Sequence, residues 1–136
     1  MSTDSLHFAG AVLITVPAIA FGGARLLAMI FRREPGYLDN PVRQNLWRAG
    51  HAHAGVLVIL TLVGLLLVDQ ADLSSDLRWL VRYTLAAGPI LMPLGFFLSI
   101  ASPRAQSPSQ LIYLVPLGGV LLSVGAVILG LGLLGA

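Results

Sequence analysis

The sequence predicts an all-α protein, an integral membrane bundle of four transmembrane helices. Hydrophobic residues make up 57% of its 136 residues and charged residues only 10%, whereas soluble domains carry about 25% charged residues. Four apolar runs fill most of the chain, at about 8–31, 49–68, 80–101 and 111–134. Each run is long enough, at ~1.5 Å rise per residue, to cross a hydrocarbon core ~30 Å thick. We therefore expect one transmembrane domain over residues 1–136, with the lipid bilayer as its first partner.

The composition also excludes several kinds of function. The chain has no cysteine, so it has no disulfide, iron–sulfur cluster, thiolate zinc site or cysteine nucleophile. Its basic charge comes from arginines without a stripe of interleaved aromatics, so we expect contact with lipid headgroups and none with nucleic acid. No carboxylate lies inside a span, and we predict no catalytic residue. The sequence therefore favours a protein without enzymatic activity.

The first span combines helix-breaking, small and charged residues. It lacks the basic leading segment of a cleaved signal peptide, so we expect it to be retained. Pro17 frees a backbone carbonyl that a neighbouring helix must help to satisfy, and Ala18 with Gly22 allows another helix to approach closely. Arg25 lies about two turns inside the span. Either its long side chain reaches the interface, or it is a buried cation that holds an anionic group.

The second helix is expected to begin well before its apolar run. Asn40 suits an N-cap and Pro41 the first helical position, so the helix should extend back to residue 41. Four residues of its first turns are spaced four positions apart: Arg43, Trp47, His51 and Gly55. Because side chains four apart share a helix face, these four should lie together. Trp47 is suited to an interfacial position.

The third and fourth spans carry signals for kinking and for close packing. Pro89 and Pro93 predict a kinked or locally opened third helix, which Ser74 or Ser75 should cap. Carboxylates before this helix are expected to neutralise its arginines: Asp69, Asp72 and Asp76 with Arg78 and Arg82. The fourth span has two stripes of small residues: Gly118, Gly125 and Gly132, and beside them Gly119, Ser123, Ala126 and Gly130. Such stripes indicate packing within the bundle or a homo-oligomer interface.

Hydroxyl side chains inside the spans are expected to hydrogen-bond between helices. They are Thr15, Thr61, Thr84, Ser99 and Ser123.

The arginines set the expected orientation in the cell (inner) membrane. Four spans place both termini on one side and the first and third connections on the other. Five arginines flank or lie in these two connections: Arg32, Arg33, Arg43, Arg48 and Arg104. Because short cytoplasmic loops carry an excess of arginine and lysine, we expect these connections in the cytoplasm and both termini outside. Carboxylates of the first connection should pair with nearby arginines: Glu34 and Asp39 with Arg32, Arg33 or Arg43.

The three histidines are the main candidates for chemistry. His7 and the pair His51 and His53 begin spans at opposite membrane surfaces, about 30 Å apart, so no single site can use all three. His51 and His53 are separated by ~200° on an α-helix, so a regular helix presents at most one of them to a metal. Each has three possible roles: an interfacial structural group, a haem or metal ligand, or a proton-relay or pH-sensing group.

One short segment carries a family resemblance. Arg48-Ala49-Gly50-His51-Ala52-His53-Ala54-Gly55-Val56-Leu57 resembles the His-Ala-His segment of small four-helix bacterial membrane proteins related to the catalytic subunit of haem-copper oxidases. This resemblance implies that His51 or His53 is an axial haem ligand. The third and fourth spans contain no histidine, so the later histidine cluster of a copper centre is missing.

These observations leave three functions open. The first is binding of haem or a transition metal through His51 or His53 in a respiratory or redox context. The surrounding charged and aromatic residues are further candidates: Arg48, Glu34, Asp39, Arg43 and Trp47. The second is an oligomeric transporter or channel for a small solute, its path shaped by Arg25 and the prolines. The third is a structural accessory subunit. Self-association or attachment to a larger membrane complex is expected in each case.

Overall fold

The structure, a computed structural model, describes all 136 residues and is entirely helical, without a strand. It contains α1 (Thr3–Ile14), α2 (Val16–Phe31), α3 (Pro41–Leu67), α4 (Ser75–Ser99), a 3₁₀ turn (Gln110–Tyr113) and α5 (Leu114–Leu134). Joined across their short interruptions, these elements give four helical units that are long and apolar enough to cross a membrane: Thr3–Phe31, Pro41–Leu67, Ser75–Ser99 and Gln110–Leu134. The all-helical prediction is therefore confirmed, and the four units are consistent with a multi-pass membrane protein.

The first unit is interrupted where the sequence predicts one continuous span. α1 ends at Ile14 and α2 begins at Val16, so that Thr15 lies between them and Pro17 is the second residue of α2. Pro17 has no N–H, so the Leu13 carbonyl four residues earlier receives no α-helical hydrogen bond from it. Thr15 closes the end of α1 instead, because its Oγ1 and its backbone N both donate to the Val12 carbonyl, at 2.7 and 3.1 Å.

The capping signals mark where α3 and α4 begin. The Asn40 side chain accepts a hydrogen bond from the Arg43 backbone N at 3.0 Å, and α3 starts at Pro41. The Ser74 hydroxyl accepts from the Leu77 backbone N at 3.3 Å, so Ser74 caps α4 and Ser75 is its first residue. These N-cap predictions are confirmed.

α4 is the central helix and continues unbroken through both of its prolines. Of the two predicted alternatives, the local opening is therefore wrong, whereas the kink stays a prediction. The reason for the continuity at Pro89 lies on α3. Pro89 cannot donate to the Leu85 carbonyl four residues earlier, but Thr61 Oγ1 of α3 donates to that carbonyl at 2.9 Å. A hydroxyl on a neighbouring helix thus satisfies the group that the proline frees, as is common in membrane helices.

Thr61 is the exception among the hydroxyl side chains. The others donate to carbonyls three or four residues earlier in their own segment: Thr15, Thr84, Ser99 and Ser123. The expectation of hydrogen bonds between helices is therefore correct for Thr61 and wrong for the other four. Each of those four has a carbonyl of its own turn within reach, so it needs no partner on another helix.

One of the two small-residue stripes of α5 packs inside the chain. Gly118, Gly125 and Gly132 are buried, and a Cβ at Gly118 would lie 2.8 Å from Met92 Cγ of α4. Packing within the bundle is confirmed for this stripe. On the neighbouring stripe nothing lies within 4 Å of the Cβ position at Gly130. That stripe is largely exposed, and its role as an oligomer interface stays a prediction.

Candidate functional site

His51 lies on the face of α3 that contacts α2. The contact depends on two glycines, because a Cβ at Gly23 would lie 2.9 Å from His51 Cε1 and 3.1 Å from Nε2. A Cβ at Gly22 would lie 3.8 Å from Nδ1. The imidazole therefore rests directly on the α2 backbone, where any larger residue at position 23 would displace it.

The Nδ1 atom of His51 is fully buried and has no hydrogen-bond partner in the protein. Most buried polar groups in folded proteins are paired, and an unpaired one costs about 1–3 kcal/mol. An unpaired imidazole nitrogen at the junction of two helices is thus an unfavourable arrangement for a purely structural residue. Three other buried side-chain atoms are also unpaired, in Tyr37, Trp47 and Arg78, but among these four residues only His51 borders a cavity.

A cavity of about 250 Å³ adjoins His51 between α2, α3 and α4. Its walls are apolar and include Ala18 and Ile19 of α2, Ala54 of α3 and Phe97 of α4. His51 is the only titratable residue in its lining. The cavity is therefore an apolar space with one imidazole at its edge.

Both prolines of α4 also line this cavity. Pro93 has no N–H, so the Pro89 carbonyl receives no α-helical hydrogen bond from it. In contrast to the Leu85 carbonyl, no side chain of α3 donates to the carbonyl of Pro89.

His53 has a different environment although it is only two residues away. Its Nδ1 lies 2.7 Å from the Ala49 carbonyl of its own helix, and its ring packs against Phe96 with the ring centroids 5.1 Å apart. The two imidazoles of the His-Ala-His segment thus contact different helices, His51 facing α2 and His53 facing α4. His7 is exposed at the start of α1 and belongs to neither environment.

No group of three or more His, Cys, Asp or Glu side chains lies close enough to hold a metal ion. The side chains around His51 and His53 therefore do not supply the three or four protein ligands of a typical transition-metal site, and the residues present do not fit one. For haem, His51 offers one axial nitrogen. The cavity is smaller than the roughly 300–1,000 Å³ of sites that enclose drug-sized ligands. A porphyrin is larger than such ligands, so this cavity does not enclose one.

Arg43 and Trp47 support the site from outside the cavity. Arg43 is buried and donates to three carbonyls, Gly36 O at 3.1 Å and Ile100 O and Ala101 O at 3.3 Å each, which ties the first connection to the third. Its guanidinium lies 5.7 Å from the centroid of the Trp47 ring. Trp47 in turn contacts the cavity residue Phe97 edge-on at 5.1 Å. Trp47 is thus a packing residue of the site, in addition to the interfacial position that the sequence predicts.

Arg25 and Glu34 form a two-point ion pair that the sequence does not predict. The distances are 2.7 Å for Nη1–Oε2 and 2.8 Å for Nη2–Oε1. The hydrogen bond from Arg25 holds the pKa of the Glu34 carboxyl below its usual value. The chain reverses after α2 through Arg33 at φ 47°, with Glu34 N donating to the Met29 carbonyl at 3.0 Å. This helix-ending motif carries Glu34 back beside Arg25.

The expected partners of the carboxylates in the first connection are therefore wrong. Glu34 pairs with Arg25 and not with Arg32, Arg33 or Arg43, and Asp39 is exposed without an ion pair. Arg48 is likewise exposed and takes no part in the cavity.

Sequence reasoning missed Gly23, Ala54 and Phe97 as members of the site. Ala54 follows His51 by three residues and so shares its helix face, and Gly23 stands next to a glycine already singled out for close helix contact. Phe97 carries no comparable signal. Comparison of the chain with models of known protein families, with curated proteins and with solved structures finds no match.

Proposed function

We propose that this chain is a multi-pass integral membrane protein that binds a small molecule within its helical bundle, with His51 as the residue that holds it. The observation that carries the proposal is the buried, unpaired Nδ1 of His51 beside an apolar cavity. A ligand that pairs with this imidazole would remove the cost of an unsatisfied polar group. The surrounding walls would bury the apolar part of the ligand.

The surface of the bundle supports membrane residence. Large apolar side chains are highly exposed around it, including Leu134 at 86%, Ile14 at 80% and Phe31 at 77%. Soluble monomers rarely expose contiguous apolar surface of this extent. The excess of arginine around the first and third connections favours a cytoplasmic location for them and an outer location for both termini.

Haem is a second candidate for the bound molecule, because the free imidazole of His51 is suited to axial ligation and the His-Ala-His segment resembles one that carries such a ligand. The cavity does not enclose a porphyrin, so its size favours a smaller ligand over haem.

The first experiment compares wild type with His51→Leu and His53→Leu after purification in mild detergent from haem-replete cells. Visible spectra of the oxidised and reduced protein report haem, and solvent extraction with mass spectrometry reports other bound small molecules. We expect a bound molecule that His51→Leu loses and His53→Leu keeps, because only His51 borders the cavity. A molecule retained equally by both variants, or by neither, contradicts the assignment of His51.

The transporter hypothesis has less support from the geometry. Arg25, the residue on which a solute path would depend, is paired with Glu34 at the end of α2, with 35% of its side chain exposed. It does not face the cavity.

A further inference from the structure

A second apolar cavity, of about 360 Å³, continues the first along the same side of α4. Thr15, Pro89 and Ile90 line both cavities. The two are therefore consecutive compartments of one groove between the α1–α2 unit and α4. We call this groove the α4 groove.

The α4 groove is long. Along α4 it extends from Phe97 beside His51 to Tyr83 at the far end of the second cavity. Fourteen residues of helix span about 21 Å at ~1.5 Å per residue. Most of the residues that line each cavity are small or aliphatic, and the second cavity adds the aromatic side chains of Phe8 and Tyr83.

From this geometry we propose that the α4 groove binds a membrane-dissolved lipid with an uncharged carbonyl headgroup and one long apolar chain, the chemistry of a prenylquinone. The inference rests on the proposed function, because it places the headgroup at His51. The imidazole N–H donates a hydrogen bond to the carbonyl oxygen, and the chain runs through the second cavity towards Tyr83.

Three features favour this occupant. The first cavity exceeds the 150 Å³ or so of an apolar cavity that accepts benzene, so it has room for a substituted ring. Its lining holds no cation other than His51 in its protonated form, and Arg25 is engaged by Glu34, so an uncharged head is favoured over a carboxylate or a phosphate. The second cavity, which continues the first and has an apolar lining, then suits the chain.

The tryptophans provide a direct assay. Trp47 contacts Phe97 of the first cavity, and Trp79 lies 5.9 Å from Phe8 of the second, measured between ring centroids. Quinones quench nearby indole fluorescence. The protein is placed in lipid nanodiscs with the substitution Trp79→Phe, so that Trp47 is its one tryptophan. Quenching of the Trp47 fluorescence then reports binding of the headgroup. The probes are a benzoquinone with a ten-carbon chain and the same benzoquinone without the chain, both compared at equal concentration in the membrane.

In this background we compare three further substitutions. His51→Leu should weaken binding of both probes at least tenfold. Ala87→Phe, which fills the second cavity, should weaken the chain-bearing probe at least fivefold and leave the chainless probe unchanged, which also shows that the variant is folded. Ala20→Phe, at an exposed position of α2 outside both cavities, is the matched control and should affect neither probe.

The outcomes separate the two proposals. If His51→Leu weakens the chainless probe but Ala87→Phe has no effect on the chain-bearing one, the α4 groove does not hold the chain and the inference is overturned, whereas the proposed function stands. If neither probe depends on His51 but haem or another extracted molecule does, the headgroup chemistry is wrong and His51 is still the binding residue. If nothing bound depends on His51, both proposals fail.

Discussion

The carboxylate of Asp69 fastens α1 to α4, and its protonation should weaken that junction. Asp69 lies in the connection between α3 and α4 and accepts hydrogen bonds from the Ser2 backbone N at 2.6 Å, from Ser5 Oγ at 3.2 Å and from Arg82 Nη2 at 2.8 Å. Arg82 also donates through Nε to Ser5 Oγ at 3.0 Å. Only 5% of the Arg82 side chain and 16% of the Asp69 side chain are exposed, so this ion pair is largely shielded from water.

The size of the effect follows from the pKa of Asp69. Burial raises this pKa, but the hydrogen bonds from Ser2, Ser5 and Arg82 together outweigh burial and lower it from 3.8 to about 2. Since one pKa unit corresponds to about 1.36 kcal/mol, the ionised carboxylate contributes about 2 kcal/mol to the free energy of unfolding. Because the folded pKa is the lower one, this contribution is fully present above the unfolded pKa and disappears as the pH falls through the folded pKa.

The assay is thermal unfolding in a non-ionic detergent, followed by the fluorescence of Trp79, whose ring centroid lies 5.4 Å from the Arg82 guanidinium carbon. As the pH falls from about 4 to about 2, the free energy of unfolding of wild type should decrease by about 2 kcal/mol more than that of Asp69→Asn. Asp69→Asn should already be destabilised by at least that amount at about pH 6, because it leaves Arg82 buried without a charged partner. Asp39→Asn, an exposed carboxylate without an ion pair, should follow wild type throughout. The reasoning is refuted if Asp69→Asn and Asp39→Asn have the same pH profile.

Four further substitutions, one of them a control, test the packing of the bundle. Thr61→Val should lower the free energy of unfolding in detergent by about 1 kcal/mol, because the Leu85 carbonyl loses its donor from α3. Gly125→Leu should destabilise by about 1–3 kcal/mol through overpacking against α4, whereas Gly130→Leu, which meets open space, should have a melting temperature close to that of wild type. Arg43→Lys should speed cleavage of the third connection by trypsin, because an ammonium cannot reproduce the fork of hydrogen bonds to three carbonyls.

Features that depend on neighbouring residues in the chain could be predicted from the sequence. The apolar runs are long enough to identify the four spans, and the caps at Asn40 and Ser74 depend on backbone groups only three residues away. The hydrophobic signal is less informative within a span. The hydrophobic signal does not predict the break at Thr15, because an interruption of one residue leaves the apolar run intact.

Features that depend on the relative position of distant segments could not be predicted. The Arg25–Glu34 pair requires Arg33 to adopt a left-handed backbone conformation. The sequence does not predict this conformation, because glycine and asparagine are the usual residues in it at the end of a helix. The junction around Asp69 brings Ser2 and Ser5 to residues more than sixty positions away. For Asp69 the sequence does suggest the charge partner Arg82, and that pairing is confirmed, but not the hydroxyls that lower its pKa.

The two histidines of the His-Ala-His segment show how a motif can be visible in the sequence while its roles are not. Helical geometry predicts that they diverge, and the structure adds that the His53 Nδ1 lies 2.7 Å from the Ala49 carbonyl. A carbonyl only accepts, so neutral His53 must carry its proton on Nδ1. We therefore expect ¹⁵N NMR of the imidazoles to show one histidine as the Nδ1–H tautomer, a signal that Ala52→Leu leaves in place and that His53→Leu removes. A ring protonated on Nε2 at this position would mean that the hydrogen bond to the Ala49 carbonyl is absent, and it would refute the assignment.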